Sequence, residues 1–301
     1  MILTIIVVAI LTDGRSLRLV NLQNFALQVS IQGIVGFGMT FCLLCGQFDL
    51  SIGAVYTLCG IIFAKCLSFM PFVPALIIAI IMGGLMGLLN GCVVQKLGLG
   101  PFVGTLSTGY LYEGISKIIS EGKPVSIGSN SFIASLGKMR IAGLSIFPYI
   151  FILVGIVCFY ILTYTRFGRN IYATGGNYEV AKNTGIRVDF YRVMSFAIIG
   201  ALAGLAGSCL AVRLQSATPI AGDSLGLIAL SSVMIGGTKS SGGVGNIQMS
   251  LLGLLLIGVL VNAMDLLGIA GYYQQVVRGL ITAAVIGTTS YSTYKNQSNI
   301  A

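Results

Sequence analysis

Histidine is absent from this chain, acids are scarce at eight Asp and Glu in 301 residues, and only 8% of the residues are charged. Each shortage excludes something. With no His, and with no second pair matching the spacing of Cys42 and Cys45, a zinc set cannot be completed. An intramembrane enzyme would need a His, Cys or paired-carboxylate constellation with a base and an orienting group. None is present, so the chain reads as a non-enzyme. A proton-coupled carrier would hold paired buried acids, whereas nearly all of the acids here lie near the ends of apolar runs. No basic head followed by a small-residue cleavage site opens the chain, so the first spans themselves are expected to drive insertion.

What is abundant is apolar sequence. Hydrophobic residues make up 56% of the chain and the mean hydropathy is +0.96. Repeated long apolar runs predict an all-α polytopic membrane protein. Ten candidate spans can be drawn, at Ile2–Leu11, Phe25–Cys45, Ile52–Phe69, Val73–Val94, Phe102–Ile119, Phe147–Thr165, Val193–Val212, Leu225–Gly236, Ile247–Met264 and Tyr272–Ile286. The first and the Leu225–Gly236 run are short for a hydrocarbon core of about 30 Å. The first is expected to be truncated or misassigned at its start, and the other to be a broken helix or, slightly favoured, a short crossing into a Gly-rich turn. Glycine reaches 41 residues, and Gly83, Gly87 and Gly91, like Gly200 and Gly204, recur at four-residue spacing as helix-packing seams. The seven cysteines lie mostly in apolar context and are read as small apolar side chains.

Charge is concentrated in one island, residues 166–192, with five Lys or Arg and two acids. Such a segment cannot lie in hydrocarbon, and its cations argue for the cytoplasm. The even number of expected spans on each side puts both termini on that face. A solvated connector is the plain alternative to a docking surface. Within the island, Asn177 is placed to cap a short helix carrying Glu179, Ala181 and Lys182, which Gly185 closes. The net charge of +9 is scattered over loops without an aromatic groove, which suits anionic lipid and not nucleic acid. On the opposite face, residues 120–146 form the longest loop and are expected to be structured over the surface as a contact for an external partner.

Asp49 has two readings: a proton or cation site, or, favoured, a cap in a turn at a helix mouth together with Ser51. For a solute path, polar side chains within spans are few. Thr105, Thr108 and Tyr112 fall on one helical stripe, and Gln274 and Gln275 are the other candidates. Interhelical hydrogen bonding is the ordinary role for such residues.

Four segments, GQFDLSIG at 46–53, VGTLSTGYLYEGISKIISEGKPV at 103–125, RFGRNIYATGGNYEVAKNTGI at 166–186, and IGGTKSSGGVGN at 235–246 with YYQQVVRGLI at 272–281, occur in order over nearly the whole chain. Together they resemble the permeases of ABC importers for ribose, xylose, galactose and similar sugars. The resemblance implies a type II-like importer permease in the bacterial plasma membrane, translocating a monosaccharide. It implies a second permease copy, identical or not, an external sugar-binding protein, and cytoplasmic ATPase subunits that hydrolyse ATP, with no cofactor in this chain. The island would be the coupling loop, with Gly176, Asn177, Glu179, Ala181, Lys182 and Gly185 as docking positions. The sequence fits that division of labour, because GGTKSSGG has no Gly at the spacing a phosphate loop requires and follows an apolar run. Related permeases for branched-chain amino acids or nucleosides, and an ion-coupled carrier, are the rival readings.

Overall fold

A computed structural model of the protein describes residues 1–127 and 131–298. It is mainly helical, with helices α1 (Ile2–Leu11), α2 (Leu19–Leu44), α3 (Ile52–Cys66), α4 (Phe72–Lys96), α5 (Pro101–Ser120), α6 (Ser131–Lys138), α7 (Ile146–Tyr164), α8 (Arg166–Gly176), α9 (Tyr178–Asn183), α10 (Val188–Leu214), α11 (Leu225–Ile235), α12 (Ile247–Leu266) and α13 (Gly271–Ser298). Among the described residues, five helices (α2, α4, α7, α10 and α12) are long and apolar enough to cross a membrane. Helices α3 and α11 are apolar but shorter. At 11 residues, α11 is about 16 Å long, roughly half of a hydrocarbon core. The irregular chain of 218–224 leads into it, and the Gly-rich loop of 236–246 follows it.

The long helix α10 is the hub, packed against α2, α3 and α4. The expected glycine seams make this possible. A Cβ on Gly83 would overlap the Gly200 carbonyl, and one on Gly200 the Gly83 carbonyl. Going along the antiparallel pair, Gly87 lies against Phe196, Gly91 against Val193, and Gly204 against Ala79. Gly60 of α3 and Gly207 repeat the arrangement. In lipid, where apolar burial gives little drive, such backbone approach replaces the hydrophobic effect with dispersion. Larger side chains fill the remaining space around α2. Phe37 stacks on Phe151 of α7 at 4.8 Å between centroids, and Phe37, Phe41 and Leu44 are buried.

The two ends of α10 define two ends of the molecule. At one, α8 and α9 precede it. At the other, strand β4 (Ser216–Ala217) pairs antiparallel with β1 (Val125–Ser126) after α5, and a hairpin of β2 (Arg140–Ile141) and β3 (Leu144–Ser145) leads into α7. Segment 120–146 thus carries a helix and strands of its own in its described part.

Candidate functional site

The polar island folds into two short helices because its sequence supplies their caps. Thr165 Oγ1 accepts the Gly168 amide at 3.2 Å to start α8. Asn177 Oδ1 accepts the Val180 amide at 3.1 Å to start α9, and Gly185, at φ +84°, follows its end in the left-handed region. Gly176, Asn177, Glu179, Lys182 and Gly185 are exposed. Ala181 is not: at 3% exposure it points into its own chain, and the apolar side chain presented outward is Val180, at 57%. The Arg192 guanidinium lies over the Tyr178 ring, 4.7 Å from its centroid, and Lys182 lies 5.7 Å from it. These cations brace the helix as well as charging its surface.

Three glycine motifs that are far apart in sequence meet beneath this surface. Gly175 at the end of α8 packs on the Leu44 carbonyl at the end of α2, and Gly242 and Gly243 from the 236–246 loop close the junction against Gly175, Gly176 and Gly46. Gly242 and Gly243 have φ of +91° and +71°, a conformation that costs other residues steric strain. The Gly243 amide donates to the Leu44 carbonyl at 2.9 Å, satisfying an orphan acceptor at the helix end. Tyr172 OH donates to the Gly245 carbonyl at 2.9 Å. Deeper, Thr40 Oγ1 donates to Ser250 Oγ at 2.8 Å, with Thr238 Oγ1 3.3 Å from the same hydroxyl. The 236–246 loop is therefore a built support for the island. Its glycines were visible in the sequence, but nothing there showed what they touch.

The chain leaving this junction enters a buried polar knot. Asp49 Oδ1 accepts the Ser51 amide at 2.8 Å and the Ser51 hydroxyl at 2.6 Å, while Asn90 Nδ2 donates to Asp49 Oδ2 at 3.1 Å and to Ser51 Oγ at 2.6 Å. Tyr112 OH has its one hydrogen to share between Asn90 Oδ1, at 3.0 Å, and the Met86 carbonyl, at 3.1 Å. Asp49 thus holds the turn before α3 through the amide and hydroxyl of Ser51, but neither side chain caps the free amides of α3, so the favoured capping reading is corrected. The sequence did not single out Asn90 as its partner.

Helix α5 has two distinct faces. Thr105, Thr108 and Tyr112 are buried. Thr105 Oγ1 accepts the Leu50 amide at 3.1 Å and donates to the Pro101 carbonyl at 2.7 Å, and Thr108 donates to the Gly104 carbonyl at 3.2 Å. This stripe joins α5 to α3 and α4. Gln274 is also buried, donating to Asp265 Oδ1 at 2.8 Å and accepting from Arg278 at 2.9 Å, whereas Gln275 is exposed. The structure does not bring the two glutamines together with the α5 stripe.

The adjoining face of α5 borders an open cavity of about 440 Å³. Phe102, Leu106, Tyr110 and Glu113 line it from α5, Gly53, Ala54 and Thr57 from α3, and Gly222, Asp223, Ser224, Gly226 and Leu227 from the α11 entry. The Gly222 amide donates to Thr57 Oγ1 at 2.8 Å, and the Gly53 and Gly222 backbones touch. Two helix N-termini, of α3 and α11, therefore meet at the cavity wall.

Comparison with known proteins gives a consistent result. The family described as "Branched-chain amino acid transport system / permease component" matches residues 21–286. The ribose import permease protein of Bacillus subtilis is 37% identical over 279 residues, 92% of this chain and 86% of that protein. The D-allose transport system permease protein of Escherichia coli is 38% identical, covering 88% of this chain and 82% of that protein. The L-arabinose transport system permease protein of Escherichia coli is 36% identical, covering 89% and 81%. No solved structure matches significantly. With these relatives along nearly its whole length, and with several apolar helices, this is a multi-pass membrane protein, and the chain belongs to the branched-chain amino acid transport system permease family.

Proposed function

We propose that this chain is the transmembrane permease subunit of an ATP-driven importer that carries a monosaccharide across a bacterial inner membrane. The observation that carries the reading is the continuity between the island and the cavity. Gly175 of the island packs on Leu44, the chain after Leu44 runs through the Asp49 knot, and Leu50, Gly53 and Ala54 then line the cavity. A push on the exposed helix α9 has a packed route to the cavity wall.

In this reading residues 166–192 are the cytoplasmic coupling loop of a single permease domain. Gly176, Asn177, Glu179, Lys182 and Gly185 meet an ATPase subunit, with Ala181 packed beneath them. The helices α1, α2, α3, α4, α5, α7, α10, α11, α12 and α13 make ten crossings, with both termini on the ATPase side. Residues 120–146 face an external sugar-binding protein, and a second permease copy, identical or not, completes the path. This chain needs no cofactor and performs no chemistry of its own, because ATP is hydrolysed by the partner. Three relatives named for ribose, allose and arabinose transport favour a sugar over the amino acid in the family's description. Buried Thr105, Thr108 and Tyr112 then support the path wall from behind.

The test is uptake by sealed vesicles containing the permease with its ATPase and binding protein. Sugar uptake is expected to require ATP on the ATPase side and to survive collapse of the proton gradient. Uptake that continues without ATP, or stops with an uncoupler at constant ATP, would overturn the reading.

A further inference from the structure

The exposed surface of α5 is largely apolar, with Val103, Leu106, Leu111 and Ile118 on it, but it also carries charge. Glu113 and Lys117 stand on it as an ion pair at 2.6 Å, with 37% and 51% of their side chains exposed. Asp223 lines the same cavity as Glu113. Charges of this kind are tolerated in a membrane protein where they face water or protein, not hydrocarbon. The cavity they border is therefore wet.

Its lining combines three kinds of group. Glu113 and Asp223 are acceptors only. On the donor side, Thr57 accepts the Gly222 amide and keeps a hydroxyl hydrogen to give, and α11 has no side-chain cap, so that with the Leu225 amide taken by the Gly222 carbonyl those of Gly226 and Leu227 are left to donate. The rings of Phe102 and Tyr110, 55% and 68% exposed, supply flat apolar surface. Acceptors facing donors across an aromatic wall suit a neutral guest with several hydroxyl groups and an apolar face of C–H bonds. The volume, about 440 Å³, lies within the range of small-molecule sites, roughly 300–1,000 Å³.

Resting on the permease reading, we propose that this cavity is where the monosaccharide is held during passage, with the Glu113 and Asp223 carboxylates accepting its hydroxyl hydrogens and the Tyr110 ring covering its apolar face. The two carboxylates outweigh the Lys117 ammonium, so the site rejects sugars that carry a phosphate or carboxylate. The groups that contact the sugar are thus on the face of α5 next to the Thr105, Thr108 and Tyr112 stripe, about 100° around the helix from it.

The experiment uses the whole complex in proteoliposomes, with D-ribose, D-allose and L-arabinose and their monodeoxy analogues as radiolabelled probes. Glu113→Gln, Asp223→Asn and Tyr110→Ala are each expected to lower sugar uptake about tenfold. ATP hydrolysis stimulated by the binding protein should be retained. The carboxamide variants should also lose discrimination between a sugar and one particular deoxy analogue, because the missing hydroxyl is the one the carboxylate accepted. Unchanged uptake and selectivity in both carboxamide variants, with a wild type that carries one of the sugars, would overturn this assignment alone. So would an equal loss for sugar and every analogue accompanied by lower thermal stability, which marks a structural role. A wild-type complex that carries none of the three sugars would overturn the permease reading, and this assignment with it.

Discussion

Adding one methyl group at Gly175 should separate the island from the helices that support it. A Cβ there would overlap the Leu44 carbonyl oxygen and lie 2.7 Å from the Gly243 amide nitrogen and 2.8 Å from the Leu44 carbonyl carbon. All of these are backbone atoms, so no rotamer change relieves the contact. The end of α8 must lift, or the 242–243 backbone must move and break the 2.9 Å bond from the Gly243 amide to Leu44. Overpacking costs about 1–3 kcal/mol, and loss of the hydrogen bond about 0.5–1.5 kcal/mol. The gain in helix propensity returns about 0.5–1 kcal/mol, for a net loss of about 2 kcal/mol. Gly176→Ala is the internal control, since a Cβ at that position meets nothing within 4 Å. Thermal unfolding of the purified permease should therefore show Gly175→Ala several degrees below wild type and Gly176→Ala close to it. The ATPase subunit should co-purify poorly with the first variant, because its docking helix no longer has a fixed seat. Equal melting temperatures for the two variants would refute the junction as the support of the island.

Four further outcomes follow from the same geometry. Glu179→Lys should release the ATPase while leaving the stability of the permease unchanged. Ala181→Asp, which forces a carboxylate into a buried position, should lower the stability of the permease itself by about 1–3 kcal/mol, measured by thermal unfolding without the ATPase. Asn90→Leu removes a donor from the buried Asp49 carboxylate and from the Tyr112 hydroxyl its acceptor. It should cost about 2–4 kcal/mol, and Asp49→Asn in the same chain should recover part of the loss by removing the unpaired charge, whereas a double variant no more stable than Asn90→Leu would refute the pairing. Single cysteines in a background lacking the seven natural ones should differ between the two faces of α5. A small impermeant thiol reagent should modify Tyr110→Cys and spare Thr108→Cys, and the reverse order would place the cavity on the wrong face.

Much of this molecule follows from its amino-acid order. Apolar runs mark where helices form, because a backbone in hydrocarbon must satisfy its own hydrogen bonds. The cluster of charge at 166–192 sets that segment apart from the apolar runs, and the Asn177 cap and the Gly185 stop are local chemistry that needs no distant partner. The seams at Gly83, Gly87 and Gly91 and at Gly200 and Gly204 were equally visible, since small residues at helical spacing have few other uses in a membrane. Tertiary structure decided what these features meet. In a soluble helix the apolar stripe identifies the buried face, but lipid is as apolar as a protein core, so the sequence of α5 could not show that Thr105, Thr108 and Tyr112 turn inward while Phe102, Tyr110 and Glu113 border the cavity. Nor could it show that Ala181 is covered, that Asn90 holds Asp49, or that glycines at 46, 175 and 242 close on one another. Those relations join positions far apart in the chain, and only the packing of α2, α8 and the 236–246 loop brings them within reach.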